Sequence, residues 1–402
     1  MTEERTEWFR QGLMLAVFSL TVRIIGAALL GDGAPFGPDG TGAEAAVVLG
    51  GHPYPLHIAL MRVTGLGALE LSLASSSLAC VLLWWWGQRV GLTGVGGWIA
   101  AAAPLGVIPG VLAAGDAPAI AVALAGVLLS TAGKRWELVG GALAATCVAV
   151  KPIALPCLIL LLARPGSLWG AFGMLGLLRD FIRPLWAPMT QGGLLGTWWV
   201  SSEGRPPTDW FGWGLGGVEQ LISAESWGLL WVFPLGVLVV LRTVSDRRLR
   251  WTALGTFFMA WAIGCLFGGR VELRYFASVF IASLAFLGPL FKMPTHRYLV
   301  AALALWPTFA LVTQLAHVRS SLDEEAAVPD VLLVSWPAVD ARPIFDACST
   351  EGATHLRNMA WQLAAVAPEG STVITDALPD GREGELFWPL LVLRPDLKVQ
   401  AR

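Results

Sequence analysis

Apolar runs of membrane-spanning length recur along most of this chain, with few charges to interrupt them. A helix needs roughly 20 predominantly apolar residues to cross about 30 Å of hydrocarbon. About eleven candidate segments can be drawn on that rule. They lie near 9–30, 67–87, 94–114, 117–132, 136–150, 152–164, 167–187, 226–242, 250–268, 273–291 and 297–317, with a short helix near 55–65. Only 14% of the 402 residues are charged, against about 25% in soluble domains. The expectation is an all-α polytopic membrane protein, with residues 1–317 forming the transmembrane domain and residues 318–402 a small tail. The N-terminus, with Glu3, Glu4, Arg5 and Glu7, makes a poor signal-peptide start, so the first run reads as an anchor.

Basic residues set the orientation, because cytoplasmic loops carry the excess of Lys and Arg. With the N-terminus inside, the inner loops hold Arg89, Lys134, Arg135, Arg164, Arg242, Arg247, Arg248, Arg250, Lys292 and Arg297. The outer loops hold Arg205, Arg270 and Arg274. Trp8, Trp84 to Trp86, Trp136, Trp198 and Trp199 sit at expected span ends, as an aromatic belt requires. The parity depends on Lys151-Pro152, in the middle of an apolar stretch. One long helix kinked at the proline is one reading, but it would place Arg242 to Arg250 outside. Two short helices, each about 21 Å long, then form a hairpin with Lys151-Pro152 at its tip. Irregular backbone at membrane depth is tolerated only where protein or water lines it.

The tail reads as an α/β unit on the outer face. Asp330 to Trp336 and Ser371 to Thr375 look like strands, Ala353 to Val366 like a helix, and Leu397 to Gln400 like a third strand. The net charge of −2 says nothing about nucleic acid, and no basic cluster suggests such a partner, so none is expected. The five Cys form neither a Cys-x-x-Cys pair nor a Cys/His metal pattern. No Walker loop or Rossmann fingerprint stands between a strand and a helix.

The candidate chemistry gathers at one face. The first outer loop holds Asp39 and Glu44, then His52, Tyr54 and His57. Gly115-Asp116-Ala117-Pro118 forms a tight outer turn, Lys151 tips the hairpin, and Arg274-Tyr275 opens the tenth segment. Each has a plainer reading as well. Asp39 suits a solvated turn, Asp116 an N-cap, Lys151 a snorkelling cation and Arg274 a partner for Glu272. The histidines suit hydrogen bonds to loop backbone. Near-membrane charges, however, commonly line a functional cavity. Cations there suit a phosphate, and a carboxylate suits a general base.

Those residues resemble the GT-C superfamily of integral-membrane glycosyltransferases, in the branch of protein O-mannosyltransferases and the lipid A aminoarabinose transferase. Pro38-Asp39 with the following short helix and Pro53-Tyr54-Pro55-Leu56 is similar to that family's first outer loop. Gly115-Asp116-Ala117-Pro118 is similar to its second acidic turn, and Ala149 to Leu155 to the helix break whose lysine approaches the donor phosphate. Arg274-Tyr275-Phe276 is similar to the start of a late helix. Gly40 and Val150 depart from the family's Glu and Thr. The resemblance implies Asp39 as catalytic base with Asp116 as second carboxylate. It implies substrate-binding roles for Lys151, Arg274, Tyr275, Glu44, His52 and Tyr54. It further implies a polyprenyl-phosphate-linked sugar donor, inverting transfer and a lipid, glycan or protein acceptor at the outer face of a bacterial inner membrane. A divalent cation stays open as a cofactor. A transporter or lipid flippase is the alternative; that class favours inverted repeats and midplane charges on broken helices, and no repeat is visible here.

Overall fold

The computed structural model describes residues 3–30, 55–111, 115–179, 232–267, 276–292, 372–375 and 398–401. Helix α1 spans Glu3–Leu30, α2 Pro55–Thr64 and α3 Ala68–Arg89. They match the first expected segment, the short helix and the second segment. Pro55 opens α2, where its missing N–H costs nothing. In α2, His57, Ile58 and Met61 are buried while Arg62, Val63 and Thr64 are exposed, giving one inward stripe.

The third segment departs from expectation. It is two helices, α4 (Val95–Ala102) and α5 (Pro104–Val111), parted at Ala103. Pro104 has no N–H and disfavours a helical residue before it. Ala103 accordingly takes extended backbone, with φ −69° and ψ 143°. Helix α6 covers Asp116–Ser130 and α7 Lys134–Ala145. They run antiparallel at backbone contact: a Cβ on Gly126 would overlap the Ala144 backbone, and one on Gly140 would overlap Ser130. Small residues permit this approach between apolar helices.

A short α8 (Cys147–Val150) continues α7 up to Lys151, which is extended at φ −168° and ψ 130°. The chain then reverses. Residues Pro152–Ala163 form a 3-10 helix, and by Gly166 the chain is back beside Glu137, in the first turn of α7. The straight kinked helix is therefore excluded, and Lys151-Pro152 is the tip of a hairpin. Its second limb is 3-10 rather than the expected α-helix. Pro156 withholds an i→i−4 donor there. The tighter winding stretches twelve residues to about 24 Å, where an α-helix would reach about 18 Å.

Helix α9 spans Gly166–Leu177, α10 Val232–Thr243, α11 Arg247–Phe267 and α12 Ala277–Leu284, the last followed by 3-10 winding over Ala285–Lys292. Strands β1 (Thr372–Thr375) and β2 (Lys398–Ala401) pair in parallel, with Thr372 opposite Lys398. The expected segment at 297–317, the Asp330–Trp336 strand and the Ala353–Val366 helix lie outside the described residues. Among the described residues, Thr6–Ala28 and Ala68–Arg89 are long and apolar enough to cross a membrane. A third crossing arises if α5 and α6, bent by 119°, act as one span. The buried core joins α3 to α8, the 3-10 limb and α12 in one continuous cluster that includes Trp86, Leu105, Ile108, Leu124, Val148 and Phe280. Many apolar side chains on the outer face of α1, such as Phe9, Met14 and Val17, stay exposed, as a lipid-facing surface would.

Candidate functional site

Two of the residues singled out in the sequence meet. Lys151 Nζ lies 2.8 Å from Asp116 Oδ1, with side chains 13% and 1% exposed. The hairpin geometry of α6 and α7 dictates the meeting, since the start of α6 and the end of α8 fall at the same level. Asp116 is not the N-cap of its helix. Gly115 holds that position, and Asp116 is the first helical residue, with no capping hydrogen bond from its side chain. Its carboxylate still benefits from the positive end of α6, but its partner is the lysine. The charges approach off the axis of a hydrogen bond, and Asp116 Oδ2 is buried without a hydrogen-bond partner among the described residues.

A third element reaches the same point. Measured from the Cβ position at Gly115, the His57 ring is 3.6 Å away and the Val150 carbonyl oxygen 3.4 Å away. Helix α2 thus lays His57, 2% exposed, beside the turn that carries Asp116 and the residue before Lys151. The hairpin tip is also tied from behind. Ser278 donates its hydroxyl to the Ile153 carbonyl at 2.8 Å, and the Cys157 thiol donates to the Ser278 carbonyl at 3.4 Å. A buried carboxylate, a partly buried ammonium and an imidazole therefore gather where a helix starts, a helix breaks and a short amphipathic helix passes. An ammonium has three N–H donors and can serve more than one acceptor, so this centre can hold an anion without dismantling the ion pair.

Asp39, Glu44, His52, Tyr54, Arg274 and Tyr275 lie outside the described residues. Phe276, directly after Tyr275, is buried. Among the described residues, no group of three His, Cys, Asp or Glu could hold a metal ion.

Two further buried residues have roles that their place in the sequence does not assign. His57 suggests only a loop histidine, yet it falls on the buried stripe with Ile58 and Met61. Arg23, in the last third of α1, is fully buried. Its Nε donates to Ser76 Oγ at 2.6 Å. Its Nη1 donates to the Ser19 carbonyl and hydroxyl and to the Ala101 carbonyl at 3.2 Å. Its Nη2 donates to Cys80 Sγ at 3.3 Å and to the Gly106 carbonyl at 2.6 Å. A lone cation inside an apolar run is itself the available signal.

No protein-family model matches this chain, and no curated protein matches it. Among solved structures it is similar to the crystal structure of ArnT from Cupriavidus metallidurans bound to undecaprenyl phosphate. The identity is 15% and the TM-score 0.52, over 98% of this chain and 90% of that one. Identity at that level speaks for the fold alone. Together with the apolar helices, it shows a helical membrane protein with a fold like that of ArnT.

Proposed function

We propose that this protein is an integral-membrane glycosyltransferase that moves a sugar from a polyprenyl-phosphate donor to an acceptor at the outer face, with inversion. The observation that carries the reading is the pair of buried Asp116 and partly exposed Lys151 at a helix break, inside a fold like that of a protein crystallised with undecaprenyl phosphate. Lys151 holds the donor phosphate, and Asp116 fixes the ammonium and orients the acceptor beside it. Glu44, His52, Tyr54, Arg274 and Tyr275 complete the substrate contacts.

In the transfer step, the acceptor hydroxyl or amine attacks the anomeric carbon. The new bond forms on the face opposite the phosphate, and the carbon–oxygen bond to phosphate breaks. The polyprenyl phosphate leaves with that electron pair, and Lys151 balances the developing charge. Asp39 takes the acceptor proton as general base. The small tail, with its parallel strand pair, serves as an extracytoplasmic domain near the acceptor.

One observation favours the transporter reading. Arg23 is a charge inside an apolar helix beside the broken pair α4 and α5, as transporter sites often are. Its three nitrogens, however, already meet six protein acceptors, so it presents no spare donor to a substrate. The deciding experiment incubates purified protein with undecaprenyl-phosphate-linked sugars and follows sugar release. Donor-dependent release supports the transferase. Ion-driven uptake into vesicles without turnover overturns it.

A further inference from the structure

We infer that Arg23 is a positioning residue for the Asp116–Lys151 pair, acting through α5; the inference rests on the proposed role of that pair. A cation inside a membrane-spanning helix is costly, and an apolar side chain could fill the space without that cost. What the guanidinium adds is directional. Its fork joins the Ala101 carbonyl before the Ala103-Pro104 break to the Gly106 carbonyl after it. Ser76 on α3 reinforces the join, accepting from Arg23 Nε and donating to the same Gly106 carbonyl at 3.1 Å.

Helix α5 is gripped a second time one turn on. A Cβ at Gly110 would lie 2.7 Å from Ser76 Cβ and 3.0 Å from Arg23 Cδ, so the helix backbone rests directly on this assembly. Val111 ends α5, and Gly115 caps α6 only four residues later. Four residues reach at most about 14 Å. The seat of α5 therefore limits where the turn bearing Asp116 can sit. The described contacts of Arg23 include no carboxylate, so its fork is committed to the two sides of the break.

The test is a double-mutant cycle on undecaprenyl phosphate affinity, measured with purified full-length protein in nanodiscs. Arg23→Met and Arg23→Lys should each weaken binding about tenfold in the otherwise native protein, the lysine because it keeps charge but loses the fork. In a Lys151→Ala background the same changes should cost less than about twofold, since distant independent effects add and shared ones do not. Ser76→Ala, a milder change, carries the cycle if the Arg23 variants do not fold. It should cost about threefold in the native background and nothing further beside Lys151→Ala. Equal losses in both backgrounds, or no loss in either, would overturn the inference while leaving the proposed site standing. If Lys151→Ala alone leaves affinity unchanged, the proposed site itself fails, and this inference with it.

Discussion

Asp116 and Lys151, far apart in sequence, are brought within 2.8 Å because α6 and the α7–α8 limb pack antiparallel on glycine contacts. One residue begins a helix and the other ends one. Removing either partner strands the other charge in a buried setting, which typically costs about 3–5 kcal/mol. Lys151→Met and Asp116→Asn should each lower the thermal midpoint of the detergent-solubilised protein by several degrees. The double variant should regain much of the loss, because neither charge is then uncompensated. A double variant as unstable as the sum of the singles would mean the pair is not coupled in the folded protein.

Asp39 and Lys151 should separate cleanly in kinetics. Loss of a general base costs about 10²–10⁴-fold in rate. Asp39→Asn should lose turnover on that scale and keep donor affinity, whereas Lys151→Ala should lose affinity first. Asp32→Asn, nearby in sequence but outside the resemblance, should stay close to wild type. Near-native turnover in a stable Asp39→Asn protein would move the base to Asp116 or Glu44.

The orientation can be read by labelling. The α6–α7 turn lies at the end opposite Asp116 and Lys151, and α2 lies at the same end as that pair. Thr64 and Ala132 are both exposed. In intact cells, an impermeant maleimide should label a cysteine placed at Thr64 and miss one placed at Ala132. The reverse pattern would invert the topology and put the site on the cytoplasmic face.

What is legible in the sequence follows from the range of each signal. Helix α2, expected near 55–65, runs over Pro55–Thr64, because Pro55 and the Pro-rich sequence before it are local features. The hairpin tip is legible because a lysine-proline pair interrupts apolar sequence with a charge and a missing N–H at once. The break at Ala103 is not, although Pro104 is visible, since the surrounding window is apolar throughout and prolines are tolerated in membrane helices. The described strands of the tail, Thr372–Thr375 and Lys398–Ala401, fall within a residue of the expected ranges, because β-branched sequence is a local signal. The ion pair has no signature in the sequence. It depends on how closely two helices approach, which is set by glycines that carry no signal for a particular partner. Arg23 announces itself as a charge in an apolar run but not by its role. No carboxylate stands near it in sequence, and its acceptors arrive from other elements or from one turn away.

Engagement of a lipid-linked phosphate by Lys151 is tested most directly by the affinity of undecaprenyl phosphate for wild type and for Lys151→Ala in nanodiscs of neutral lipid. A charge-assisted contact contributes about 1.5–3 kcal/mol, so the variant should bind roughly ten- to a hundred-fold more weakly. The loss should be absent for undecaprenol, which lacks the phosphate. Unchanged affinity for undecaprenyl phosphate in a folded Lys151→Ala protein would contradict that role.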